Sequence, residues 1–143
     1  MKPKGLPLIT ISTLRNIDDV ILVDFCANLK VDLPTAQQIV AQRLNFTGNE
    51  KHYLVVDISN VRSVTAEAKN YLQSPDGGLK NILAAALIAS NPVSSLIANI
   101  FAKTRKDFDA KFFHHKQDAF DWVCKQRQKH ISNSIIHTNN AVL

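Results

Sequence analysis

The stretch YLVVDISNVRSVTAEAKNYL, residues 53–72, gathers the side chains of this chain best placed for chemistry. An apolar run ends in Asp57, and Ser59, Ser63, Thr65, Ala66 and Glu67 follow before a helical pattern sets in. A carboxylate at a strand end can attack a phosphoryl group, given further carboxylates and a lysine around a divalent ion. No such set is evident around Asp57. Hydroxyls at a helix start can carry a phosphate, since orphan amides there favour anions. The plainer uses are equally physical. Ser63 or Thr65 caps the helix, Glu67 suits its dipole, and Asp57 accepts hydrogen bonds from turn amides.

Other reactive residue types are scattered. His52, His114, His115, His130 and His137 form no H-x₃-H pair and stand near no cysteine ligand set, so no metal site is expected. PDGGLK, at 75–80, precedes a strand pattern instead of opening a helix, which makes it a turn and not a phosphate loop. No G-x-S-x-G elbow occurs. The expected class is therefore non-enzymatic, without cofactor.

A chain of 143 residues with 45% hydrophobic and 20% charged content suits one globular domain with its own core. Cys26 and Cys124 do not make a disulfide framework and are expected as buried, inert thiols. MKPKGLPLIT lacks the apolar core of a secretory leader, and no apolar run of membrane-spanning length follows. A bacterial-type cytoplasmic protein is expected. The net charge of +5 raises nucleic acid as a partner. It gathers in two small groups, Lys103 with Arg105 and Lys106, and Lys125 with Arg127 and Lys129, with no recognised binding motif. Solvated helix faces explain both, and no nucleic-acid partner is expected.

The elements that must position the 53–72 stretch follow from periodicity. Residues 8–14 alternate apolar and polar, NIDD reads as a turn, and 20–27 form a second strand, which predicts a hairpin. Asp32 and Pro34 open a helix whose inward positions are Ala36, Ile39, Val40, Arg43 and Leu44, and Gly48 ends it. Residues 52–59 and 82–90 are apolar throughout, as strands buried on both faces are. Between them, Val64, Ala68, Tyr71 and Leu72 keep a helical spacing. Asn91 and Pro92 start a helix with Val93, Leu96, Ile97, Ile100 and Phe101 on one broad face. Residues 109–115 read as the last strand, and Ala119, Trp122 and Val123 as the inward face of the last helix. Residues 129–143 have little period and are expected to be a loose tail.

This order, ββαβαβαβα, resembles the STAS (SpoIIAA-like) fold of anti-sigma-factor antagonists. YLVVDISNVRSVTAEA resembles the family's strand, switch loop and helix; ILAAALIAS with NPVSSLIANIF resembles its fourth strand and third helix; KFFHHKQDAFDWV is similar to its closing strand and helix. VTAEAKNYL and LPTAQQIV are similar to a branch of bacterial STAS-like domains without assigned function. The resemblance spans about 8–128 and implies an α/β fold, a mixed, mostly parallel sheet of about five strands with about four helices, in a single domain over 1–143.

The resemblance also implies a departure. Typical antagonists carry Asp-Ser-Ser-Gly at the start of this helix and are phosphorylated on the first serine. Those slots fall here on Thr65, Ala66, Glu67 and Ala68. Ala66 has no hydroxyl, and Glu67 puts a carboxylate beside any added phosphate, which repels it. The expectation is a regulatory domain acting by protein–protein contact, with another protein or with itself as a homodimer or homo-oligomer, through the loop from Asp57 to Glu67. A carrier of a small apolar ligand or lipid is the first alternative, since the small residues of ILAAALIAS leave room beneath the helices. A phospho-regulated antagonist using Thr65 or Ser63 is the second.

Overall fold

Three right-handed crossovers that step in one direction along a sheet put all their helices on one face, and that rule organises this molecule. The structure is a computed structural model that describes residues 7–103 and 107–142, with side chains to residue 135. Its central sheet has five strands in the order β1 (Ile9–Leu14), β2 (Ile17–Phe25), β4 (His52–Asp57), β6 (Ile82–Ile88), β7 (Asp109–Phe113). β1 and β2 pair antiparallel, and every later pairing is parallel. A second, two-stranded parallel sheet joins β3 (Leu29–Val31) to β5 (Val61–Val64). The helices are α1 (Leu33–Phe46), α2 (Ala66–Leu72), α3 (Pro92–Lys103) and α4 (Lys116–Val142).

Two apolar clusters follow from the period-2 alternation of the central strands. Ile21, Val23, Leu54 and Ala85 point to the side holding Ala36 and Ile39 of α1, Ala68 of α2 and Ala98 of α3. Val20, Tyr53, Val55, Ala84, Ala86 and Ile88 point to the other side, against Ala119 and Val123 of α4. β4 and β6 are therefore covered on both faces, which is why they read as unbroken apolar runs.

Local signals hold where they rest on backbone chemistry. Asp32 Oδ1 accepts from the Thr35 amide at 2.9 Å. Gly48 follows the end of α1 at φ +62°, a left-handed conformation that glycine adopts at no steric cost. Asn91 Oδ1 accepts from the Ser94 amide at 2.9 Å, so Asn91 caps α3.

Four expectations are corrected. The β1–β2 turn is Arg15–Asn16, with φ +49° and +62°, so the residues IDD belong to β2 and not to a turn. β3 and β5 are two short strands beyond those the periodicity predicts, and β5 takes Val64 out of the helix that starts at Ala66. The segment after residue 128 continues α4 to Val142 and is not a loose tail. Cys26 and Cys124 are free and half-buried, not fully enclosed.

Candidate functional site

The parallel strands β4, β6 and β7 all end at one edge, and the loops leaving them form the first candidate surface. Asp57 closes β4, and its Oδ1 accepts from the Ser59 amide at 3.0 Å, making the expected turn. Its Oδ2 lies 3.8 Å from Nζ of Lys116, the first residue of α4. Ser59 latches this turn to the start of α3. Its Oγ accepts from the Ser90 amide at 3.1 Å, and its carbonyl accepts from Asn91 Nδ2 at 2.7 Å. The sequence placed Asp57 at a strand end, whereas Ser59, read as the last residue of that strand, lies in the turn beyond it, and nothing in the sequence marked Lys116 or Asn91 as their neighbours.

Ser63, Thr65, Ala66 and Glu67 form a separate group. Ser63 is exposed on β5. The Thr65 amide donates to the Val31 carbonyl of β3 at 2.9 Å, while Thr65 Oγ1 accepts from the Ala68 amide at 3.2 Å. Thr65 is therefore the N-cap of α2, and Ala66 and Glu67 occupy the exposed first turn. Of the basic group expected at the end of α3, Arg105 and Lys106 lie outside the described residues, as does the side chain of His137.

A second feature was only hinted at in the sequence. Between the central sheet and α1–α3 lies a cavity of about 140 Å³. Leu54, Val56, Ala85 and Leu87 line it from the sheet, Ile39 and Val40 from α1, and Ile97 and Phe101 from α3. Its lining is apolar apart from Arg43 and Gln73 and the backbone near Gly78. Arg43 is 5% exposed. Nη1 donates to the Gly78 carbonyl at 2.9 Å and Nη2 to the Lys80 carbonyl at 2.8 Å, while Nε is buried without a partner. Burial holds its pKa down to about 10, with the Tyr71 phenol opposing that shift. The guanidinium thus stays charged at neutral pH. Gly78 makes the clasp possible: a Cβ there would overlap the backbone of Leu72, so only glycine lets the chain fold back over the end of α2. The available signal was an arginine on an apolar helical stripe, at a position otherwise reserved for core residues.

His52, on β4, is also enclosed. Its Nδ1 donates to the Glu50 carbonyl at 2.9 Å, and Nε2 is buried without a partner. Desolvation pushes its pKa below the usual imidazole value; the Glu50 carbonyl opposes this and the Arg43 charge adds to it.

Sequence comparison places these features in a family. A family model matches residues 14–127. The chain belongs to DUF7793, a domain of unknown function. No curated protein matches it. Among solved structures, it is similar to an uncharacterized protein of the DUF3478 family with a SpoIIAA-like fold from Shewanella loihica PV-4. The two share 20% identity and a TM-score of 0.60, over 87% of this chain and 100% of that one. That likeness shows the fold: this DUF7793 domain has the SpoIIAA-like architecture expected from the motifs. Among the described residues, no helix is long and apolar enough to cross a membrane.

Proposed function

We propose that this domain is a cytoplasmic, non-enzymatic regulatory module that works by protein–protein contact, with a partner protein or a second copy of itself. The observation that carries this reading is an exposed apolar ridge on α3: Val93, Leu96 and Ile100 are 45%, 65% and 40% exposed. Side chains at this spacing lie along one side of a helix, and such ridges mark contact surfaces. The helix that bears them is latched at its start to Ser59, so the ridge adjoins the turn that follows Asp57. The hydroxyl oxygen of Thr65 serves as a helix cap and Asp57 as a turn acceptor, which suits a docking surface better than a reactive centre. Light scattering and co-purification of wild type and Leu96→Asp test it. A dimer or complex that Leu96→Asp disrupts, with an unchanged melting temperature, supports the reading. A wild type that stays monomeric and recovers no partner overturns it.

A second reading is favoured by the cavity: the domain also holds a small apolar ligand beneath α1–α3. A partly open space of about 140 Å³ is close to the roughly 150 Å³ that accommodates a benzene-sized molecule in an apolar protein core. Native mass spectrometry of the protein as isolated tests this; added mass released on denaturation supports it.

A further inference from the structure

We propose that the cavity beneath α1–α3 takes a small apolar carboxylic acid, with its tail among Leu54, Val56, Ala85 and Leu87 and its carboxylate paired with Arg43. The proposal rests on the ligand-holding reading above and names the chemistry of the ligand.

Three observations converge on Arg43. It is 95% enclosed, being 5% exposed, on a helix face otherwise given to core residues. It borders the cavity directly, and the side chains around it are nearly all apolar. Its two terminal nitrogens meet only carbonyl dipoles, and its Nε–H meets nothing. The ion pairs among the described residues join Lys116 to Asp57 and Arg127 to Asp19, and neither involves Arg43.

A buried cation without a counter-charge is costly, and a clasp between α1 and the 78–80 turn does not require one, since neutral donors reach carbonyls as well. A guanidinium matches a carboxylate well, because its planar N–H groups meet two oxygens side by side. With Nη1 and Nη2 each holding one carbonyl, the Nε edge is the side left for a ligand. The space sets the tail at roughly six to eight carbon atoms, by comparison with the benzene-sized cavity. Charge and volume together suit a short aliphatic or monocyclic acid.

The test compares hexanoate with hexanol, which share a tail and differ in head charge, by chemical-shift titration of the isotope-labelled full chain. Hexanoate is expected to bind about ten- to a hundredfold more tightly, the ratio that a charge-assisted hydrogen bond supplies. Arg43→Met is expected to bring the two affinities together, and Ala85→Leu, which fills the cavity, to weaken both. Equal affinities in wild type overturn the carboxylate pairing and leave the apolar-ligand reading standing. Binding of neither probe overturns both. A preference for hexanoate that survives in Arg43→Met assigns the charge elsewhere and overturns the pairing. If Arg43→Met does not fold, the wild-type ratio decides alone.

Discussion

The two faces of the central sheet are built from the same strands but closed in different ways. Under α4, the sheet presents Ala84 and Ala86 beside Tyr53 and Val55, and α4 answers with Ala119 and Val123. Small residues on both sides let helix and sheet approach closely, and Val123 is 0% exposed. On the opposite face three separate helices meet above Leu54, Val56, Ala85 and Leu87, and the space between them is not filled. One helix seats on a twisted sheet along a single line of contact. Three helices fixed by three different crossovers cannot all optimise their fit at once, and the residue of that conflict is a cavity. Because the crossovers advance in one direction, the sheet has no point where strand order reverses, the usual binding crevice of open α/β sheets. Of the two faces, it is the α1–α3 face that carries the apolar cavity.

The contrast can be broken or sharpened by mutation. The largest effect is expected from Val123→Asp, which puts a carboxylate into the closed face and should cost more than ~3 kcal/mol in urea denaturation. Next is a paired test on neighbouring residues of β6. Ala86→Leu overfills the α4 side and should cost ~1–3 kcal/mol, whereas Ala85→Leu enters the cavity and should change stability by less than ~1 kcal/mol. Equal losses would erase the difference between the faces. Thr65→Ala removes the cap of α2 and should cost ~1 kcal/mol, while Ser63→Ala, on an exposed strand position, should stay within ~0.5 kcal/mol by the same measurement.

The smallest effect concerns pH. His52 is held neutral in the folded chain, with a pKa below 6.5. The unfolded chain takes up the proton first as pH falls, so this contribution to stability is whole above about 6.5 and declines as pH drops towards the lower folded value. Urea midpoints at pH 7.5 and 5.5 should therefore fall with acidity in wild type and fall less in His52→Gln.

How much of this was legible depends on whether the deciding partner is near in sequence. Asp32, Gly48 and Asn91 act on amides or turns within a few residues, and each marks its helix end as expected. β3 and β5 have three and four residues, and each exists only because Leu29 pairs with Val61 and Val31 with Val64. Nothing in either segment alone distinguishes it from a loop. Residues 129–142 carry a weak apolar period, so their helix was missed. What fixes α4 comes from far away: Arg127 Nε donates to Asp19 Oδ1 at 2.8 Å across 108 positions, and Tyr53 Oη shares a hydrogen bond with His130 Nδ1 at 2.7 Å across 77. Of the candidate site, the turn at Asp57 and the cap at Thr65 were readable as local chemistry. The cavity was not, although Arg43 stood in plain view on an apolar stripe.

Sequence by itself determined the alternation of strands and helices, the caps that bound them, and the absence of a hydroxyl from residue 66, an alanine, since all of these depend on residue type and short-range spacing. Tertiary structure alone decided that three helices share one face, that Arg43 of α1 is buried against the 78–80 turn without an acidic partner among the described residues, and that Ser59 ties two loops together. Those outcomes depend on chain segments that meet only after folding, and no local pattern records the volume left between them.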